Sequence, residues 1–258
     1  MIALLAFACL PSAATASETV AMSANFTPYH LLGHTTVHFG FQIGTTDGAM
    51  PSPLTNVDVS LPAGMGLETT SLGLATCDSQ TLNIVGPEGC SPDAVMGFGR
   101  ALAEIQVGSE IIQEHAKITT MMAPTAGGHT VVLYYVDAAG PASVQLIFPG
   151  LVLGASEPFG TRINTRVPVT GTWPGGPYAS VVNLFASIGP EHLTYYRPGH
   201  KLVPFTPVGM QIPPKCPKGG FPFAATLAFL DGSSVNTSTA IPCPSGNTGK
   251  HSTHSHRH

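Results

Sequence analysis

Charge is what this sequence has least of. Asp, Glu, Lys and Arg make up 9% of its 258 residues, against about 25% in ordinary soluble domains. The net charge is only −4 and the basic residues form no block. That argues against a nucleic-acid partner, because displacing counterions from phosphates needs clustered Lys and Arg. Long hydrophobic runs are also scarce. Beyond the N-terminus no stretch reaches the ~18 apolar residues that cross a bilayer as a helix, and the run 144–155 is broken by Pro149-Gly150. No transmembrane segment is therefore expected in the mature chain. There is no G-x-S-x-G and no H-E-x-x-H, which removes two familiar hydrolase signatures. No amphipathic pattern three helical turns long is visible.

What is abundant is Gly and Pro, 29 and 24 residues, beside 43% hydrophobic residues. A disordered chain shares the first feature and not the second, so a folded chain with many turns is expected. Strand alternation is clear in several places. Val37, Phe39, Phe41 and Ile43 alternate with Thr36, His38, Gly40 and Gln42, and Val57, Val59 and Leu61 precede a stop at Pro62. Residues 94–107 are apolar and rich in small side chains, with Gly97 and Gly99 on one face, as at a bulge or a close backbone approach. The Gly108-Ser109 pair predicts a hairpin into 110–122, where Ile112, Ala116 and Ile118 share a parity. Residues 123–128 form a linker or long turn. Residues 130–136 are apolar on both faces, as in a central strand; 143–152 read as another, interrupted by Pro149-Gly150, and 162–170 as a weaker one. Residues 223–229, the Asp231-Gly232 turn and the return to Ile241 make a terminal hairpin. A short helical turn is expected over 78–84. The chain is predicted all-β: two tandem immunoglobulin-like sandwiches, 17–125 and 126–245, with one larger sandwich as the alternative.

Residues 1–16 have the apolar core and small-residue cleavage site of a secretory signal peptide, cut after Ala16, although no Lys or Arg precedes the apolar run. A lipoprotein reading would modify Cys9, but Ala6-Phe7-Ala8 is a poor lipobox. Cleavage leaves Cys77, Cys90, Cys216 and Cys243, an even set that suggests two disulfides with three possible pairings. Loop closure favours sequence neighbours, hence Cys77–Cys90 and Cys216–Cys243. No pair has the C-x2–4-C spacing of a zinc site. The tail 246–258 carries His251, His254, His256 and His258 and is expected to be disordered. Its imidazoles suit weak binding of Zn²⁺, Ni²⁺ or Cu²⁺, but no metal or cofactor is predicted for the folded part.

Two sets of short motifs recur in a recognisable order. One is Leu61-Pro-Ala-Gly, Thr76-Cys77, Gly89-Cys90-Ser-Pro and Met96-Gly-Phe-Gly. The other is Ile188-Gly, Tyr196, Pro214-Lys-Cys216-Pro-Lys-Gly-Gly, Phe223-Ala-Ala, Asp231-Gly232 and Pro242-Cys243. In this order the chain resembles uncharacterised secreted, disulfide-bonded β-sandwich proteins of high-GC Gram-positive bacteria, over most of its mature length. The resemblance implies a secreted β protein and supplies no catalytic residue.

Candidate chemistry is sparse. His34 and His38 on one strand face would sit about 13 Å apart at ~3.3 Å per residue, too far for one metal ion, so His30, His34 and His38 are expected to face solvent. Trp173 and Tyr178, in a Gly/Pro-rich loop, are the candidate platform for stacking on a sugar ring. Tyr195, Tyr196 and Arg197 are a second aromatic cluster. Glu104, Glu110 and Glu114 lie near one hairpin and are the carboxylates with a chance to converge. The sequence thus predicts a non-enzymatic, secreted or cell-wall-associated structural or interaction protein, with a glycan or protein of the cell wall or extracellular space as partner. An extracellular carbohydrate-binding module is the alternative, and an extracellular hydrolase the second one.

Overall fold

Alternating apolar residues need a surface to bury against, and in this chain one continuous sheet supplies it to itself. The computed structural model describes residues 17–65, 71–140, 143–171, 175–197 and 201–244. Residues 1–16, expected to be a leader, Trp173 and the His-rich stretch 246–258 lie outside the described residues. The strands are β1 (Glu18–Thr27), β2 (His34–Thr45), β3 (Leu54–Pro62), β4 (Val95–Val107), β5 (Glu110–Ala126), β6 (His129–Ala138) and β7 (Val144–Gly154). They continue with β8 (Phe159–Arg166), β9 (Ser180–Ile188), β10 (Tyr195–Arg197), β11 (Val203–Phe205), β12 (Met210–Gln211), β13 (Phe221–Phe229) and β14 (Ser234–Ile241). An α-helix, α1 (Ser79–Val85), follows Cys77.

Twelve of these strands pair in one antiparallel sheet, in the order β1-β2-β9-β4-β5-β6-β7-β8-β3-β13-β14, with β12 added beside β2. The ends of this path, β1 and β14, lie side by side. Phe26 meets Phe221 edge-on at 5.6 Å, and the Tyr29 hydroxyl donates to the Pro242 carbonyl at 2.7 Å. The sheet therefore curls almost into a barrel, which leaves little exposed edge. β10 and β11 form a separate ribbon.

The all-β expectation holds, while the tandem arrangement does not match this topology. β2 pairs with β9 and β3 pairs with β8 and β13, so strands from both sides of residue 125 share one sheet. Residues 125 and 126 lie at the end of β5, and Gly127-Gly128 make the turn into β6 with φ of 59° and 79°. Positive φ suits glycine at both central turn positions, so the Gly pair marks a hairpin and not a linker. The Pro149-Gly150 interruption is also absent: β7 runs through it. Residues 144–149 pair with β6 alone, and pairing with β8 starts at Gly150↔Thr165. Pro149, which has no N–H to donate, sits just where its strand lacks a second partner.

The expected alternations of β2 and β3 point their apolar residues inward; Val37, Phe39, Phe41, Val57, Val59 and Leu61 are all buried in the main core. β1 follows the same rule with Val20, Met22, Ala24 and Phe26, a pattern the sequence reading did not pick out. A second, outer core forms where the cysteine loop covers β5 and β6: Leu82, Met121, Val131 and Leu133 are buried together there. The helical turn expected over 78–84 is α1, capped by Asp78, whose carboxylate accepts from the Thr81 N–H at 2.8 Å. Hydrogen bonds to Thr81 hold the Asp78 carboxyl below its ordinary range.

Both preferred disulfides are present, Cys77–Cys90 with Cα atoms 5.6 Å apart and Cys216–Cys243 at 5.7 Å. The second bridges the open end of the β13–β14 hairpin. It spans 27 residues, and closing such a loop in the unfolded chain corresponds to ~3.5 kcal/mol. Replacing Cys216 and Cys243 together by Ser is expected to lower the melting temperature by about 7–14 °C. Differential scanning calorimetry checks this; an unchanged transition would contradict it.

Candidate functional site

Inward positions are not filled evenly around the barrel. Phe39, Val57 and Phe148 bring large side chains to the interior, whereas on β4, β5 and β6 the inward residues include Ala101, Ala103, Ala116 and Ala138. Alanine reaches only one carbon into the interior, so space remains. Two adjoining cavities result, of about 130 and 120 Å³. They share Leu54, Ala101, Val136, Leu146, Val167 and Val181 in their walls and so adjoin, and together they are termed the passage.

The inner cavity is almost wholly apolar. Tyr134 and Thr165 bring the polar side chains, and they hydrogen-bond each other. Burial pushes the Tyr134 phenol up, and the Thr165 hydroxyl acts against that shift. Gly150 packs against this pair: a Cβ there would stand 2.8 Å from Thr165 Oγ1 and 2.9 Å from the Tyr134 ring. The outer cavity lies where β8 has ended. Its wall includes the exposed Pro168 and the half-buried Val144, Thr170 and Gly171, which makes this the end nearer solvent. Glu114 belongs to the same wall, 6% exposed, and Oε1 accepts from the Gly140 N–H at 2.7 Å.

The carboxylates singled out in the sequence do not converge. Glu114 faces inward beside Ala103, whereas Glu104 stands one register position away on the opposite face, next to Gln113. Glu110 is exposed at the hairpin end. Trp173 lies outside the described residues. Tyr178 is 48% exposed and faces Gly171 across an isolated bridge, at the base of the loop that adjoins the outer cavity. Tyr195 is not part of a surface cluster: it is fully buried. Its hydroxyl donates to the Val95 carbonyl and accepts from the Gly73 N–H at 3.0 Å, and burial pushes its pKa up to about 12. Tyr196 is on the surface, and Arg197 lies over the Phe205 ring at 4.6 Å.

His30 and His34 are exposed as expected, but His38 is not. Its side chain is 13% exposed, stacks on Phe185 with ring centroids 5.7 Å apart, and places Nε2 3.0 Å from Glu191 Oε2. Burial lowers its pKa, with Glu191 pulling the other way. A histidine whose folded pKa is lowered contributes stability that is complete above the unfolded pKa, about 6.5, and is lost as pH falls through the folded value. The fall in melting temperature between pH 7.5 and 5 should therefore be shallower in His38→Gln than in the unmodified chain. Equal slopes in thermal scans would contradict this. Among the described residues no group of three or more His, Cys, Asp or Glu is placed to hold a metal ion, and no helix is long and apolar enough to cross a membrane.

Apart from Glu114, the residues that shape the passage were not singled out in the sequence as site candidates. Their signal was the small-residue character of 94–107 combined with strand parity, which puts Ala101, Ala103 and Ile105 on one face. Fold and site together define the chain as a nearly closed antiparallel barrel around an apolar passage. No protein-family model matches the chain, and neither does any curated protein or solved structure.

Proposed function

We propose that this is a non-enzymatic, secreted extracellular binding protein that takes a small apolar ligand into its barrel. The observation that carries this reading is the passage through the interior, roofed by aliphatic and aromatic side chains and floored by alanines. Apolar cavities of ~150 Å³ stay dry and take up apolar molecules such as benzene. Of the roles the sequence suggested, ligand binding gains most from this geometry, with an apolar ligand in place of a glycan. The separation of Glu104, Glu110 and Glu114 supports a role without catalysis. The two disulfides suit an oxidising compartment, as does the leader-like N-terminus.

The test is a titration of the disulfide-bonded chain with N-phenyl-1-naphthylamine, a neutral apolar fluorophore. Saturable enhancement at one site per chain is expected. Absence of saturable binding would overturn the reading.

A further inference from the structure

A second concave feature lies outside the barrel, on the outer face of β1, β2, β9 and β4, and it is polar where the passage is apolar. On these strands Phe39, Phe41, Leu184 and Ala101 point inward, so the alternate residues point out. One cross-strand row runs Ser23, Gly40, Phe185, Arg100, and Gln42 pairs with Asn183 in the next outward row. These residues line a shallow hollow of about 300 Å³. Gly40 keeps its floor open: a Cβ there would stand 3.2 Å from Ser23 Oγ and 3.7 Å from the Phe185 ring. No acidic side chain lines the hollow.

We propose that this hollow binds an acidic sugar, a pyranose ring that carries a carboxylate. Arg100 supplies the charge. Its guanidinium lies over the Phe185 ring at 4.8 Å. That ring is itself braced by His38, stacked on it with centroids 5.7 Å apart, and His38 is held by Glu191 at 3.0 Å. Stacking uses the face of the guanidinium and leaves its N–H edges for a ligand, already oriented. Among the described residues no carboxylate pairs with Arg100. Lys117 stands directly opposite Arg100 in the β4–β5 register, and like charges so placed destabilise a sheet. Asp137, next in that row on β6, forms no ion pair with Lys117. An anion over Arg100 offsets this repulsion.

The sugar follows from the rest of the wall. Ser23, Gln42 and Asn183 bring a hydroxyl and two amides, groups that both donate and accept, as ring hydroxyls require. None of the three side chains has a hydrogen bond among the described residues. A phosphate would instead call for converging backbone N–H groups, and here the floor is sheet whose strands pair on both sides. A planar carboxylate matches the fork of a single Arg.

The experiment titrates the isotope-labelled full chain at pH 7.5 and low ionic strength, where charge is least screened. The probes are methyl β-D-glucuronide, methyl β-D-glucoside, acetate and inorganic phosphate, read on the side-chain N–H signals of Arg100, Gln42 and Asn183. The glucuronide is expected to shift all three saturably, with each other probe at least fivefold weaker. In Arg100→Gln the glucuronide should bind no better than the glucoside, while the melting temperature stays within about 2 °C, as for an exposed substitution. Acetate or phosphate matching the glucuronide on the unmodified chain would overturn the sugar assignment. The glucoside matching it would overturn the role of Arg100, and no saturable shift with the glucuronide would overturn the site itself. The series on the unmodified chain decides the matter even where Arg100→Gln folds poorly, and none of these outcomes depends on the apolar passage.

Discussion

Gly97→Ala is expected to lower the melting temperature by about 8 °C or more, equivalent to ~4 kcal/mol. Gly97 sits on β4 opposite β9, and a Cβ there would stand 1.9 Å from the Ser187 carbonyl oxygen. The obstacle is backbone, so no rotamer change relieves it; the strands must part. Gly99, two residues on, faces the Phe185 carbonyl at 2.5 Å, so the same pairing cannot re-form nearby at low cost. The control is Gly44→Ala on β2, where the nearest atom to a new Cβ is Thr19 Oγ1 at 3.6 Å, an ordinary contact. Thermal unfolding of both variants reads the difference. Gly97→Ala unfolding with Gly44→Ala would mean that β4 and β9 do not pack as described. The result also bears on the architecture, because Gly97 and Ser187 lie on opposite sides of the boundary between the two expected domains.

Ala101→Phe is expected to weaken N-phenyl-1-naphthylamine binding at least tenfold, equivalent to ~1.4 kcal/mol. Ala101 belongs to the walls of both cavities, so a ring at this position fills the junction and divides the passage. Filling empty space commonly stabilises a fold by ~0.5–2 kcal/mol, so the variant should melt no lower than the unmodified chain. Ala101→Leu, which adds less volume, should give a smaller loss in the same direction. Titrations of both variants beside a melting curve check this. Unchanged affinity in a folded Ala101→Phe would place the bound probe elsewhere.

Much of the local structure was legible because it is set by neighbours in sequence. The alternation Val37, Phe39, Phe41, Ile43 places β2 and its inward face. Gly97 and Gly99 on one face announced the close approach of another backbone, and the spacing of the cysteines favoured the pairing that is present. The global arrangement was not legible, because alternation says which face a strand buries and nothing about which strand lies beside it. Val37 pairs with Ile188 and Ala225 with Val59, contacts that no local pattern encodes. The reading of two tandem units placed a boundary near residue 125, in the stretch 123–128 read as a linker or long turn; Gly127-Gly128 is a hairpin turn within one sheet. The passage was hidden for a related reason: Ala101 reads as an ordinary small residue until the sheet curls and brings it to one cavity with Phe39 and Ile163. His38 shows the same limit, since its partner Glu191 comes from far along the chain.

The most direct test of the central claim is a two-dimensional methyl spectrum of the chain, isotope-labelled at Leu and Val, recorded while decan-1-ol is added. Val136, Leu146 and Val181 line the passage, whereas Val131 and Leu133 lie on the other side of the same sheet, under the cysteine loop. The account predicts saturable shifts and contacts with the alkyl chain for the first set, and none for the second. Shifts centred on Val131 and Leu133, or no saturable response in either set, would contradict it.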